Sequence, residues 1–160
     1  MIRKIFVTNL LLLFAVALIA QVKSPEEFLG YKVGSRYTPH FKIVNYFQHV
    51  AANATASVKI QQYGETNEGR PLFLTFISTP ENMKNLEQIR LNNLRLANLA
   101  KDKAAPKEES APAIVWLSYN VHGNETSSSE AALMTIWALV DPSNAKTKEW
   151  LKNTVVIIDP

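Results

Sequence analysis

The stretch Ala113 to Leu133, AIVWLSYNVHGNETSSSEAAL, constrains this chain more than any other. Ala113 to Tyr119 is a short apolar run between a proline-rich segment and polar loop residues. That composition predicts a strand buried on both faces. Asn120 to Ser127 is a polar turn carrying His122, Gly123, Asn124 and Glu125. Ser127 and Glu130 stand at capping-box spacing, and an apolar helix is predicted to run on to Val140. A His and a Glu, three residues apart, therefore fall between the C-terminal end of a strand and the start of a helix. In open α/β sheets that edge is where ligand sites are built.

A bare His-x-x-Glu pair also arises by chance, and a loop histidine bonded to its own backbone is the bland alternative. Position and chemistry raise this pair above it. Zn²⁺ takes imidazole nitrogen and carboxylate oxygen, and a catalytic site uses three protein ligands plus water. Gly123 lets the backbone bend so that both side chains can converge. Glu125 lies just before a helix N-terminus, where negative charge is favoured.

The remaining sequence bounds the setting of this pair. The chain has 160 residues, room for one domain. Hydrophobic residues make up 47% and charged residues 19%, which places it among globular chains rather than disordered ones. Met1 to Ala20 reads as a secretory signal peptide: Arg3 and Lys4 form a basic start, and Leu10 to Ala20 is an unbroken apolar run. A spanning helix needs about 20 such residues, and Thr8 and Asn9 interrupt any longer count. Without Arg3 and Lys4, 15 basic residues face 14 acidic ones, and no basic stripe points to nucleic acid. There is no cysteine, hence no disulfide framework. Export without disulfides suits a bacterial periplasmic or secreted protein with no stable membrane insertion after cleavage.

Along the chain, Ser24 to Tyr37 is expected to be an extended lead-in segment. Thr38-Pro39 reads as a helix start, with Thr as cap and Pro first. His40 and His49 fall on this helix and are read as surface or packing histidines. Ser57 to Tyr63 and Pro71 to Ser78, joined by the polar Gly64 to Gly69, predict a β-hairpin. Thr79-Pro80 starts another helix, expected as one long element over Glu81 to Ala100. Lys101 to Pro112 is a solvated connector, and Asp141-Pro142 breaks the chain. A short helix over Ala145 to Asn153 and a β-branched strand over Thr154 to Ile158 follow. Strands alternate with helices after an initial hairpin, so the fold class is α/β with a mixed β-sheet flanked by helices.

These residues resemble the N-terminal part of a zinc carboxypeptidase of the M14 (carboxypeptidase A-like) family, secreted bacterial type. Gly64-Glu-Thr-Asn-Glu-Gly-Arg70 before an apolar strand is similar to the family's Gly-x-Ser/Thr-x-Glu-Gly-Arg segment. The strand leading into His122-Gly-Asn-Glu125 resembles its first zinc motif. Val155 to Pro160 resembles the approach to its Asn-Pro-Asp-Gly segment, and Phe28-Leu-Gly-Tyr31 and Tyr37-Thr-Pro-His40 look like secreted bacterial members. The likeness spans about residues 24 to 160. It implies a carboxypeptidase-like α/β/α fold, with 1–20 a signal peptide and 21–160 a truncated N-terminal part of the catalytic domain. It implies that His122 and Glu125 bind Zn²⁺. The third ligand, the catalytic Glu and the carboxylate-binding arginines are implied beyond Pro160. Many digestive members carry Arg before the Glu, where this chain has Asn124. Arg70, placed between a turn and a strand, reads as structural.

The function so implied is that of a zinc metallocarboxypeptidase releasing C-terminal residues from peptides or proteins. Two alternatives stay open: a zinc amidohydrolase or deacylase of related fold, and a non-catalytic peptide-binding relative. The 160-residue chain alone is expected to be inactive, and its terminal strand over Thr154 to Ile158 is expected to leave an edge or a face uncovered.

Overall fold

The structure, a computed structural model, describes residues 21–102, 104 and 112–160. The expected signal peptide and most of the connector lie outside the described residues. The chain opens with a short helix, α1 (Pro25–Leu29), then α2 (His40–Asn53) and the strands β1 (Val58–Glu65) and β2 (Pro71–Ile77). Two helices follow, α3 (Pro80–Lys84) and α4 (Leu86–Leu96). β3 (Ala113–Ser118), α5 (Ser127–Val140), α6 (Ala145–Lys152) and β4 (Thr154–Asp159) complete it.

The four strands form one mixed sheet in the order β1-β2-β4-β3. β1 pairs antiparallel with β2, β2 antiparallel with β4, and β3 parallel with β4. The hairpin is the expected one, with a bulge: Gln62 faces Phe73 and Gly64 faces Leu72, so Tyr63 is the extra residue. The parallel pair needs a crossover, which α5 and α6 supply. The main core lies between one face of the sheet and the helices. Tyr46, Phe47 and Val50 of α2 and Leu133 and Ile136 of α5 are wholly buried there with Ile77 and Ile158. Phe47 meets Phe73 edge-on, with ring centroids 5.6 Å apart.

Several local expectations change. β4 is an interior strand beside β2, with Val155, Val156, Ile157 and Ile158 all buried, and β3 is an edge strand. β3 is accordingly not buried on both faces: Val115 is 40% and Trp116 57% exposed. An apolar run reports that a strand has hydrophobic faces, while its place in the sheet is set by pairing with distant residues.

Thr38 does not cap α2. Pro39 is the cap residue without a side-chain cap bond, and the Thr38 hydroxyl instead donates to Glu130 Oε1 at 2.6 Å. That bond also removes Glu130 from the expected capping box: Ser127 is the first helical residue, and no side chain caps α5. The long helix divides at Asn85 into α3 and α4, with Thr79 capping the first as expected. Ser24 to Tyr37 is not simply extended. Ser24 and Glu27 form a capping box for α1, which ends at Gly30 in the left-handed region, φ 75°.

Candidate metal-binding loop

β3 and β4 run parallel to the same end of the sheet, where the backbone N–H of Tyr119 donates to Asp159 O at 2.8 Å. The chain then turns sharply. Asn120 takes φ 52°, a left-handed value that Asn tolerates better than most residues. Its backbone N–H donates to Ser128 Oγ at 2.7 Å, tying the strand exit to the first turn of α5. Between these ties sit His122 and Glu125, joined by a hydrogen bond from Glu125 N–H to His122 O at 2.9 Å. A second turn follows, with Ser128 N–H donating to Glu125 O at 3.0 Å. The loop is therefore fixed by its backbone and by Ser128, while the His122 and Glu125 side chains are exposed.

The donor set suits zinc in kind, one imidazole and one carboxylate. It falls short in number: among the described residues no group of three or more His, Cys, Asp or Glu side chains is placed to hold a metal ion. The other two histidines are accounted for elsewhere. His49 Nε2 accepts from Lys23 N–H at 3.1 Å, and its ring packs on Phe28. His40 is the first residue of α2 and lines a cleft with Arg70 and Pro71.

Two further groups at this end escaped the sequence reading. Asn120 Oδ1 is buried without a hydrogen-bond partner among the described residues. An Asn two residues before the His was visible in the sequence, but not its burial. Asp159, at the end of β4, accepts from Tyr63 Oη, 3.3 Å from each carboxylate oxygen. Burial pushes the Asp159 carboxyl above its usual range, against the lowering effect of the Tyr63 bond. The contact crosses β2, and it is the bulged residue of β1 that makes it.

Residues 43–160 match the zinc carboxypeptidase family, Peptidase_M14. The chain belongs to this family. No curated protein matches it. Among solved structures it is similar to a carboxypeptidase A from Helicoverpa armigera, with a TM-score of 0.57 and 17% sequence identity. That likeness establishes the fold. It covers 91% of this chain and 28% of the insect enzyme, so this zinc carboxypeptidase relative spans under a third of that chain's length. Among the described residues no helix is long and apolar enough to cross a membrane.

Proposed function

We propose that this chain is the N-terminal part of the catalytic domain of a secreted zinc carboxypeptidase of bacterial type, with 1–20 its signal peptide. In this reading His122 and Glu125 hold the metal and the substrate is the C-terminus of a peptide. The observation that carries it is the placement of this His-x-x-Glu pair. It lies on a backbone-braced turn at the C-terminal end of a parallel strand, inside the segment that matches the family.

Zinc bound here would supply Lewis-acid polarisation of a carbonyl and a water of lowered pKa. The chain's own contribution is to present two donors from a turn whose backbone is already fixed. His122 binds as a neutral imidazole and leaves its second ring nitrogen to an acceptor. Asn120 Oδ1, a buried acceptor without a donor two residues away, is of the kind required. Two donors do not make a catalytic zinc site. The 160-residue chain is therefore expected to take up zinc weakly and not to turn over peptides.

The test is to load the 160-residue chain with Co²⁺ as a spectroscopic substitute, titrate with Zn²⁺, and assay C-terminally free peptides. Weak metal uptake lost in both His122→Ala and Glu125→Ala supports the ligand assignment. Equal uptake in both variants defeats it. Zinc-dependent turnover that His122→Ala abolishes would overturn the claim of inactivity.

A further inference from the structure

A cleft of about 370 Å³ lies between the first two turns of α2 and the tip of the β1–β2 hairpin. Its walls are largely apolar: Tyr37, Pro39, Phe41, Val44 and Pro71. His40, Asn45 and Arg70 bring the polar groups. The hairpin tip is fixed by Thr66 N–H donating to Arg70 O at 2.8 Å and by Gly69 at φ 73°, so Arg70 starts from a rigid position.

We propose that this cleft binds a carboxylate carried on an apolar body. Arg70 pairs with Glu68 through Nη2 alone, and both side chains are more than half exposed. Such a pair is weak, and most of the planar guanidinium fork stays available to a second carboxylate. The His40 ring and the Asn45 amide have no hydrogen-bond partner within the described residues. Burial holds the His40 imidazole below its usual pKa, and the nearby positive charge of Arg70 lowers it further. Both residues line the cleft. The start of α2 adds to this, since no side chain caps it and its positive end is left for a ligand. A site of one guanidinium, an amide and an imidazole among aromatic walls matches a monoanion with an apolar tail. A phosphate dianion calls for more donors than are present. Volume agrees, since small-ligand pockets begin at roughly 300 Å³. The inference stands apart from the metal ligands, which belong to another loop.

The test follows the His40 ring signals by NMR in the 160-residue chain. 3-Phenylpropionate is titrated beside the neutral 3-phenyl-1-propanol and an acetylated, amidated dipeptide containing Glu. A saturable shift with the carboxylate, weakened about tenfold or more in the alcohol and in Arg70→Gln, is expected. Saturation by the dipeptide assigns the site to acidic side chains of peptides. Saturation by 3-phenylpropionate alone assigns it to free small carboxylates. Glu68→Gln, which releases Arg70, should tighten binding. No saturable shift with either carboxylate, equal binding of the alcohol, an unchanged affinity in a folded Arg70→Gln, or weaker binding in Glu68→Gln would each overturn the proposal.

Discussion

The two ends of the sheet are built differently. At one end, β2 runs out and β4 begins, and a buried polar cluster joins α3, α6 and β4 through the residue that follows β2. Asn82 Nδ2 of α3 donates to Ser78 Oγ and to the carbonyls of Leu151 and Lys152, at 3.0 to 3.1 Å. Ser78 Oγ in turn lies 2.7 Å from Thr154 O and 3.1 Å from Leu151 O. The orphan carbonyls that close α6 are thus satisfied inside the protein. At the other end, the loop after β3 leaves His122 and Glu125 exposed, and Asn120 Oδ1 has no donor among the described residues. The difference separates two kinds of polar residue: those that complete the fold, and those the fold holds out without a partner. Only the second kind is free to meet a ligand.

The sharpest way to break this contrast is Asn82→Ala. It removes the donor to two buried helix-end carbonyls and is expected to cost about 1–3 kcal/mol in urea denaturation. A loss below about 0.5 kcal/mol would mean that the cluster does not hold that end together.

A second substitution has the opposite sign. Thr75 is wholly buried and its hydroxyl has no hydrogen-bond partner among the described residues. Thr75→Val keeps the shape and deletes the unpaired group, so stability should be unchanged or rise by up to about 1 kcal/mol. A fall in thermal midpoint would show that the hydroxyl is satisfied in solution.

The pH dependence distinguishes the docked lead-in segment from the open loop. His49 has its pKa lowered from 6.5, first by burial and then by the charge of Lys23. The unfolded chain therefore binds a proton that the folded one resists. The contribution is fully present above pH 6.5 and is lost as pH falls below it towards the lowered folded value. Stability measured by denaturant should fall on acidification through that window, and His49→Gln should flatten the slope.

The smallest effect is expected at the exposed loop. His122→Ala and Glu125→Ala should each change metal-free stability by no more than about 0.5 kcal/mol. A larger loss would place these residues with the structural kind.

Local chemistry in the sequence reported much of this. The hairpin followed from alternation around a glycine-bounded turn, the start of α3 from Thr79-Pro80, and the strand–loop–helix setting of His122 and Glu125 from the apolar run, polar turn and apolar helix around them. What failed was non-local. Glu130 looks like half of a capping box until Thr38, 92 residues away, takes its carboxylate. β3 reads as an interior strand because an apolar run does not name its neighbours. The cleft was hidden for the same reason, since His40 and Arg70 meet only once α2 packs beside the hairpin. Ser24 to Leu29 was a different miss: Ser-Pro-Glu-Glu carries the cap, the proline and the returning carboxylate, and the signal was available.

The bulge at Tyr63 changes the parity of its strand. Gln62 and Gly64, two residues apart, face Phe73 and Leu72, which are adjacent and point to opposite sides. The in-out phase set over Val58 to Gln62 is thereby reversed for Gly64 and Glu65. A chain lacking this one residue would still pair Gln62 with Phe73 and Gly64 with Leu72, in a regular ladder with the hairpin tip facing as it does now. The insertion thus adds a residue outside the ladder, and it is this residue, Tyr63, that reaches Asp159 while β2 fixes the tip.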